Sequence, residues 1–210
     1  LRALRANVAA AAAAPESAAS DTRLRDAIDA LSSRAHTAGN VEIEVQALRE
    51  YARLALRQDD FEGYRRRLVE ASDLAHVAGN NVLLRRVGAD LLYDEMQRGD
   101  YAAARRREVS WRTDALRGSA GVELGIVLAR FAIATGDFPG ALARLAALAQ
   151  ADRTDPRTAA PGSVSARLSC VQGGAQLHQG LLEEAHRSYA LCAEASTPPD
   201  RRVGQIGLAA

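Results

Sequence analysis

Lysine is absent. All 27 basic residues of this 210-residue chain are arginine, and they face 26 acidic residues for a formal net charge of +1. A surface built to hold nucleic acid carries a marked basic excess, so direct nucleic-acid binding by this region is not expected. Aromatics make up only 4% of the residues. That scarcity, with few β-branched residues and an apolar set dominated by alanine and leucine, excludes a strand-rich fold and makes the chain all-α. No stretch approaches the roughly 20 apolar residues of a membrane span. The alanine-rich opening "LRALRANVAAAAAA" lacks a signal-peptide core and cleavage pattern. Two cysteines, Cys170 and Cys192, fit no metal-ligand spacing and are too few for a disulfide framework. A reducing cytoplasm is the expected setting, without a membrane partner. The chain opens at Leu1 without methionine and stops within a helical pattern, as a fragment of a longer protein would.

The sequence does repeat itself. "AHTAGN" at 35–40 returns as "AHVAGN" at 75–80, forty positions later. A second echo runs between them, in "RQDDFEGYRRRL", "QRGDYAAARRRE", "ATGDFPGALARL" and "HQGLLEEAHRSY". Its turns at Asp59, Gly99, Gly136 and Gly180 are spaced by 40, 37 and 44 residues. Regular self-similarity of this length marks units that bury their apolar faces only against neighbours. Each unit reads as two helices. Gly39 and Gly79 supply a left-handed residue after a helix, and Asn40 and Asn80 start the next one. Asp100 is placed to cap the helix that follows "RGD", and Gly118 to end it. Ser20 is expected to cap the helix beginning "DTRLRDAIDALSSRA". The helix pairs fall at about 1–39, 41–79, 81–118, 120–151 and 163–196, with a further helix starting over 201–210. They form one continuous domain over 1–210, because no linker is long enough to separate one domain from another.

These units resemble tetratricopeptide repeats. The fourth unit matches that family's pattern through Ala129, Gly136, Asp137, Phe138, Ala141 and Leu145. The fifth matches through Gly173, Gly180, Leu182, Ala185, Tyr189 and Cys192. The second keeps Ala52, Asp60, Phe61, Leu68 and Ala71 but has Tyr64 where alanine belongs. The third keeps Gly99, Asp100, Tyr101 and Ala104, then departs at Glu108 and Trp111. The resemblance implies a right-handed superhelical solenoid of antiparallel helix pairs. The period near forty is similar to that of the repeat regions in large bacterial LuxR-type ATP-binding regulators and antibiotic-regulatory activators. It implies a sensor or partner platform within a transcriptional regulator.

Catalytic chemistry is not written here. No phosphate-binding loop is present, and "QGGAQ" at 172–176 lacks the lysine, Gly173 being explained by packing. His36 and His76 are repeat-equivalent ends of second helices. His178 and His186 lie on different helices with nothing to complete a metal set. Cys170 and His178 are eight residues apart on one helix, about 12 Å, too far for a nucleophile pair. No catalytic residue, metal ligand or cofactor is therefore expected. The acidic pairs Asp59–Asp60 and Glu183–Glu184 suit helix starts, and the "RRR" triplets at 65–67 and 105–107 suit solvated surface.

In tetratricopeptide proteins the first helix of each pair lines a concave groove. Carried over, that face holds Gln46, Arg49, Arg53 and Arg57 in the second unit. It holds Arg86, Tyr93, Met96 and Gln97 in the third, Glu123 and Arg130 in the fourth, and Arg167, Cys170 and His178 in the fifth. Six arginines stand against one glutamate. Arg49, Arg53 and Arg57 form an i, i+4, i+8 stripe whose mutual repulsion mildly destabilises a helix. The face would fork onto the carboxylates of an acidic peptide or protein segment, supplied by a separate protein or by another domain of the same full-length chain, or onto phosphates. Self-association through the apolar end at "VGQIGLAA" is a further possibility. The competing readings are solvent-exposed arginines that reflect codon bias, arginines paired with acids such as Glu42, Glu44 and Glu50, and, for function, a sensing domain that holds a small molecule or peptide signal.

Overall fold

The computed structural model describes residues 1–14, 17–111, 118–154, 163–194 and 198–209. Among them there are eleven α-helices and no strand. In chain order these are α1 (Arg2–Ala12), α2 (Ala18–Thr37), α3 (Val41–Arg57), α4 (Phe61–Val77), α5 (Asn81–Gln97), α6 (Tyr101–Trp111), α7 (Gly118–Ala134), α8 (Phe138–Thr154), α9 (Ser163–His178), α10 (Leu182–Ala193) and α11 (Pro198–Ala209). The all-helical class follows the sequence.

The recurrent hexapeptide is a stop and a start fused into one joint. Gly39 takes φ +60° and Gly79 φ +62°, a left-handed backbone that costs glycine nothing. That turn lets the Asn40 N–H donate back to the Ala35 carbonyl at 2.9 Å, and the Asn80 N–H to Ala75 at 3.0 Å. Each bond satisfies an orphan carbonyl of the helix just ended. The asparagine side chains then accept from the first turn of the next helix: Ile43 N–H to Asn40 at 3.1 Å, Leu83 N–H to Asn80 at 3.1 Å. The second echo turns out to be the same joint. Asp60, Asp100 and Asp137 donate back to Ala55, Glu95 and Ala132 at 2.9, 2.9 and 2.8 Å. Their carboxylates cap Gly63, Ala103 and Gly140 at 2.8, 3.0 and 2.9 Å. Asp59 stands in for the glycine at φ +57°. Leu181 completes the series by backbone alone, with no side-chain cap.

Two boundaries differ from expectation. Ser17, not Ser20, caps α2; the Ser17 side chain accepts from the Ser20 N–H at 3.1 Å and the Ser20 hydroxyl from the Ser17 N–H at 2.9 Å. Ser20 is the reciprocal partner of that capping box. Gly118 opens α7 rather than closing α6. Of the proline- and glycine-rich break that the sequence places at 151–163, residues 155–162 lie outside the described residues.

The chain divides into two compact units, Leu1–Asp94 and Glu95–Ala210. In the first, α3 is buried on two sides. Ile43, Ala47 and Leu54 pack with Leu24, Ile28 and Leu31 of α2. Val45, Leu48 and Ala52 pack with Leu68, Ala71 and Ala75 of α4 and with Leu83, Val87 and Leu91 of α5. Tyr64, the departure from the repeat pattern, belongs to this second cluster and is 8% exposed. In the second unit, Val122, Ile126 and Ala129 of α7 meet Leu145 and Leu148 of α8 and Leu168 and Val171 of α9.

The two cysteines are not free thiols. Cys170 of α9 and Cys192 of α10 form a disulfide with a Cα–Cα distance of 4.9 Å, and both are buried. The expectation failed because it judged cysteines by number and linear spacing, whereas packing α9 against α10 sets residues 22 apart face to face. Tyr189 fits beside this link because glycines flank it. A methyl group at Gly173 would meet its ring at 2.9 Å, and one at Gly207 would meet the same ring closer still.

Candidate functional site

The residues expected to line a groove are divided between the units. Gln46, Arg49, Arg53, Arg57, Arg86 and Tyr93 belong to the first, and Gln97, Arg130, Arg167 and His178 to the second. On α3 the stripe is largely neutralised by acids of neighbouring helices. Arg49 Nε donates to Asp90 Oδ2 on α5 at 2.6 Å, with only 15% of its side chain exposed. Arg57 meets Asp21 of α2 at 2.9 Å and reaches the Ser20 hydroxyl at 3.4 Å. Arg53 is the open member; it pairs with Glu50 one turn earlier at 2.6 Å while 56% of its side chain faces solvent. The charge repulsion along the stripe is thereby offset by packing that the sequence does not display.

Elsewhere on that face, Gln46, Arg86 and Tyr93 are half-buried, and Gln97 and Arg130 are exposed. Arg167 is half-buried. His178 is exposed, and its ring stacks on Phe138 with centroids 5.4 Å apart. Cys170 does not face a groove, being bonded to Cys192.

The arginine triplets are not merely solvated. Arg107 makes a bidentate contact to Glu95, whose side chain is 4% exposed, at 2.6–3.0 Å. Arg105 bonds Glu108 at 2.7 Å and lies 5.5 Å over the Phe131 ring. Arg144 of α8 reaches the other oxygen of Glu108 at 2.6 Å. Glu108, out of place in the repeat pattern, is thus a buried acid held by two guanidiniums, and one charge alone would be costly there.

A cleft that sequence reasoning missed lies on the first unit, walled by α2 and α4 and floored by α3. One section has a volume of about 510 Å³ and is lined by Arg25, Arg66, Arg67 and Gln58; an adjoining section of about 470 Å³ reaches Glu44 and His36. Asp29, Ser32, Leu48, Tyr51 and Glu70 line both. The Tyr51 hydroxyl donates to Asp29, and the Arg67 guanidinium sits 5.3 Å from the Tyr51 ring centre. Burial first, and then the Asp29 bond and charge, push the Tyr51 phenol above the usual tyrosine range. His36 Nδ1 lies 2.9 Å from Glu44 Oε1. The one signal available in sequence was Tyr51 itself, an aromatic on the face of α3 opposite the arginine stripe.

Among the described residues, no three His, Cys, Asp or Glu side chains stand together as a metal set, and no helix is long and apolar enough to cross a membrane. The chain matches no protein-family model and no curated protein sequence.

Proposed function

We propose that this chain is a non-enzymatic interaction scaffold, a tetratricopeptide-like solenoid serving as the partner platform of a bacterial transcriptional regulator in the cytoplasm. The observation that carries the reading is the joint. Six helix ends of one design, at residues 39, 59, 79, 99, 136 and 180, turn the chain through the same left-handed step. Recurrent joints between consecutive helices stack hairpins side by side, and such stacks offer long faces to partner segments. On the first-helix face of the first unit, exposed Arg53 with half-buried Gln46 and Tyr93 would meet a carboxylate-bearing segment. Arg49 and Arg57 would stiffen that face from within through Asp90 and Asp21.

The test is photo-crosslinking from positions 46, 53 and 93, followed by binding of the trapped segment as a synthetic peptide. One protein should be trapped at all three positions, and Arg53→Glu should weaken its peptide about tenfold with helicity by circular dichroism unchanged. Unrelated proteins at each position, or an unaltered Kd, would reject the face. Thiol trapping of Cys170 and Cys192 in cells checks the compartment, since a reducing cytoplasm keeps most protein thiols unpaired.

A further inference from the structure

We infer that the cleft between α2 and α4 is a second binding surface, shaped for an extended protein segment of about six residues that is acidic at one end and basic at the other. It stands apart from the first-helix face. With about 100° per residue along a helix, Leu48, Tyr51 and Ala55 point nearly opposite to Arg49, Arg53 and Arg57, so either surface can hold if the other fails.

Length comes first. From Glu44 to Gln58 the floor runs fourteen residues along α3, about 21 Å at 1.5 Å per residue. An extended chain at about 3.4 Å per residue covers that with roughly six residues. Charge gives the polarity. The three guanidiniums Arg25, Arg66 and Arg67 all stand in the section toward Gln58, where the one carboxylate, Asp60, is engaged in capping Gly63, while Asp29 and Glu70 occupy the middle and Glu44, beside His36, the far section. A small anion would use the arginine section and be repelled by the acidic one, and a small cation would meet the reverse. A segment carrying both charges in order satisfies both.

The groups are prepared to different degrees, and that separates support from recognition. Tyr51 bonds Asp29 across to α2, while Arg67 covers the Tyr51 ring from α4 and holds Glu70 at 2.9 Å. This chain braces the cleft from wall to wall. Arg66, by contrast, is exposed and has no hydrogen bond or ion pair among the described residues, and Arg25 holds only the Gln58 side-chain oxygen at 3.2 Å. These two guanidiniums are the ones left to fork onto a carboxylate. Leu48 on the floor and Leu74 on the wall supply apolar surface for the stems of the segment's longer side chains.

The probes are three capped hexapeptides, Glu-Glu-Ala-Ala-Arg-Arg, its all-acidic analogue with glutamate in place of arginine, and its all-basic analogue, together with inorganic pyrophosphate. Each is titrated into the intact chain and followed by amide NMR. The graded peptide should shift Leu48, Tyr51 and Ala55 saturably and bind about fivefold more tightly than either uniform peptide. Arg25→Glu with Arg66→Glu should weaken it about tenfold and favour the all-basic peptide. Arg66→Ala, which removes no contact of the folded chain, should weaken it about threefold and guards against misfolding of the double variant. Equal binding of the three peptides, shifts confined to other helices, or unchanged affinity in Arg66→Ala would each overturn the assignment. Pyrophosphate binding more tightly than the graded peptide would make the cleft an anion site and overturn it as well.

Discussion

Tyr64 illustrates what a single departure from a repeat pattern can do. Where alanine would leave space, its ring fills the cluster shared by α3, α4 and α5. Burial raises the phenol above the ordinary tyrosine range, and the nearby carboxylates of Asp90 and Asp94 raise it further. A folded-state pKa above the unfolded value means the neutral phenol is favoured by folding. Its contribution is complete below the ordinary tyrosine pKa of about 10 and is lost as pH rises from there through the raised folded value. Denaturant midpoints should therefore fall above pH 10, and Tyr64→Phe should flatten that fall relative to the parent chain. Superimposable profiles above pH 10 would show that Tyr64 ionises freely in the fold. The paired arginines make the complementary point. Arg49 and Asp90 are 41 residues apart and Arg144 and Glu108 are 36 apart, close to one repeat. Their separation was visible in the sequence, but their pairing was not, because it depends on which face each helix turns to its neighbour.

At the scale of the helix, the joints were legible because all their forces are local. A left-handed residue, a back-bond and an Asx cap occupy some eight consecutive residues, so the letters that make them recur at the period of the fold. The disulfide and the cleft needed packing between helices and left no such trace. One joint departs from the rest. Leu181 has φ −82° and ψ 68°, close to the −84° and 76° of Asp60, yet it offers no side-chain acceptor. Leu181 is also 40% exposed, so little burial is lost by replacing it. Leu181→Asp should bond the free N–H groups at the start of α10 and stabilise the chain by about 1 kcal/mol. Asp60→Ala should lose about as much. Thermal or urea denaturation reads both, and a destabilised Leu181→Asp would mean that the Leu181 side chain contributes packing beyond what its exposure implies.

For the whole molecule, the two compact units make different demands on the chain. Residues 1–94 contain no cysteine, whereas the second unit carries the Cys170–Cys192 link. Closing a loop of 22 residues removes unfolded-state freedom worth about 3 kcal/mol, and the bond joins α9 to α10 beside the tightly flanked Tyr189. Reduction should then weaken only the second unit. The single tryptophan, Trp111, belongs to that unit in sequence, while far-ultraviolet circular dichroism reports helices of both. In thiol reductant the tryptophan transition should move to lower denaturant, and the dichroism transition should broaden or split, because its first-unit portion stays in place. Together the two signals measure cooperativity. If they shift together by the same amount, the units unfold as one and the division at Asp94 carries no energetic weight. If neither shifts, the link between α9 and α10 contributes nothing to stability.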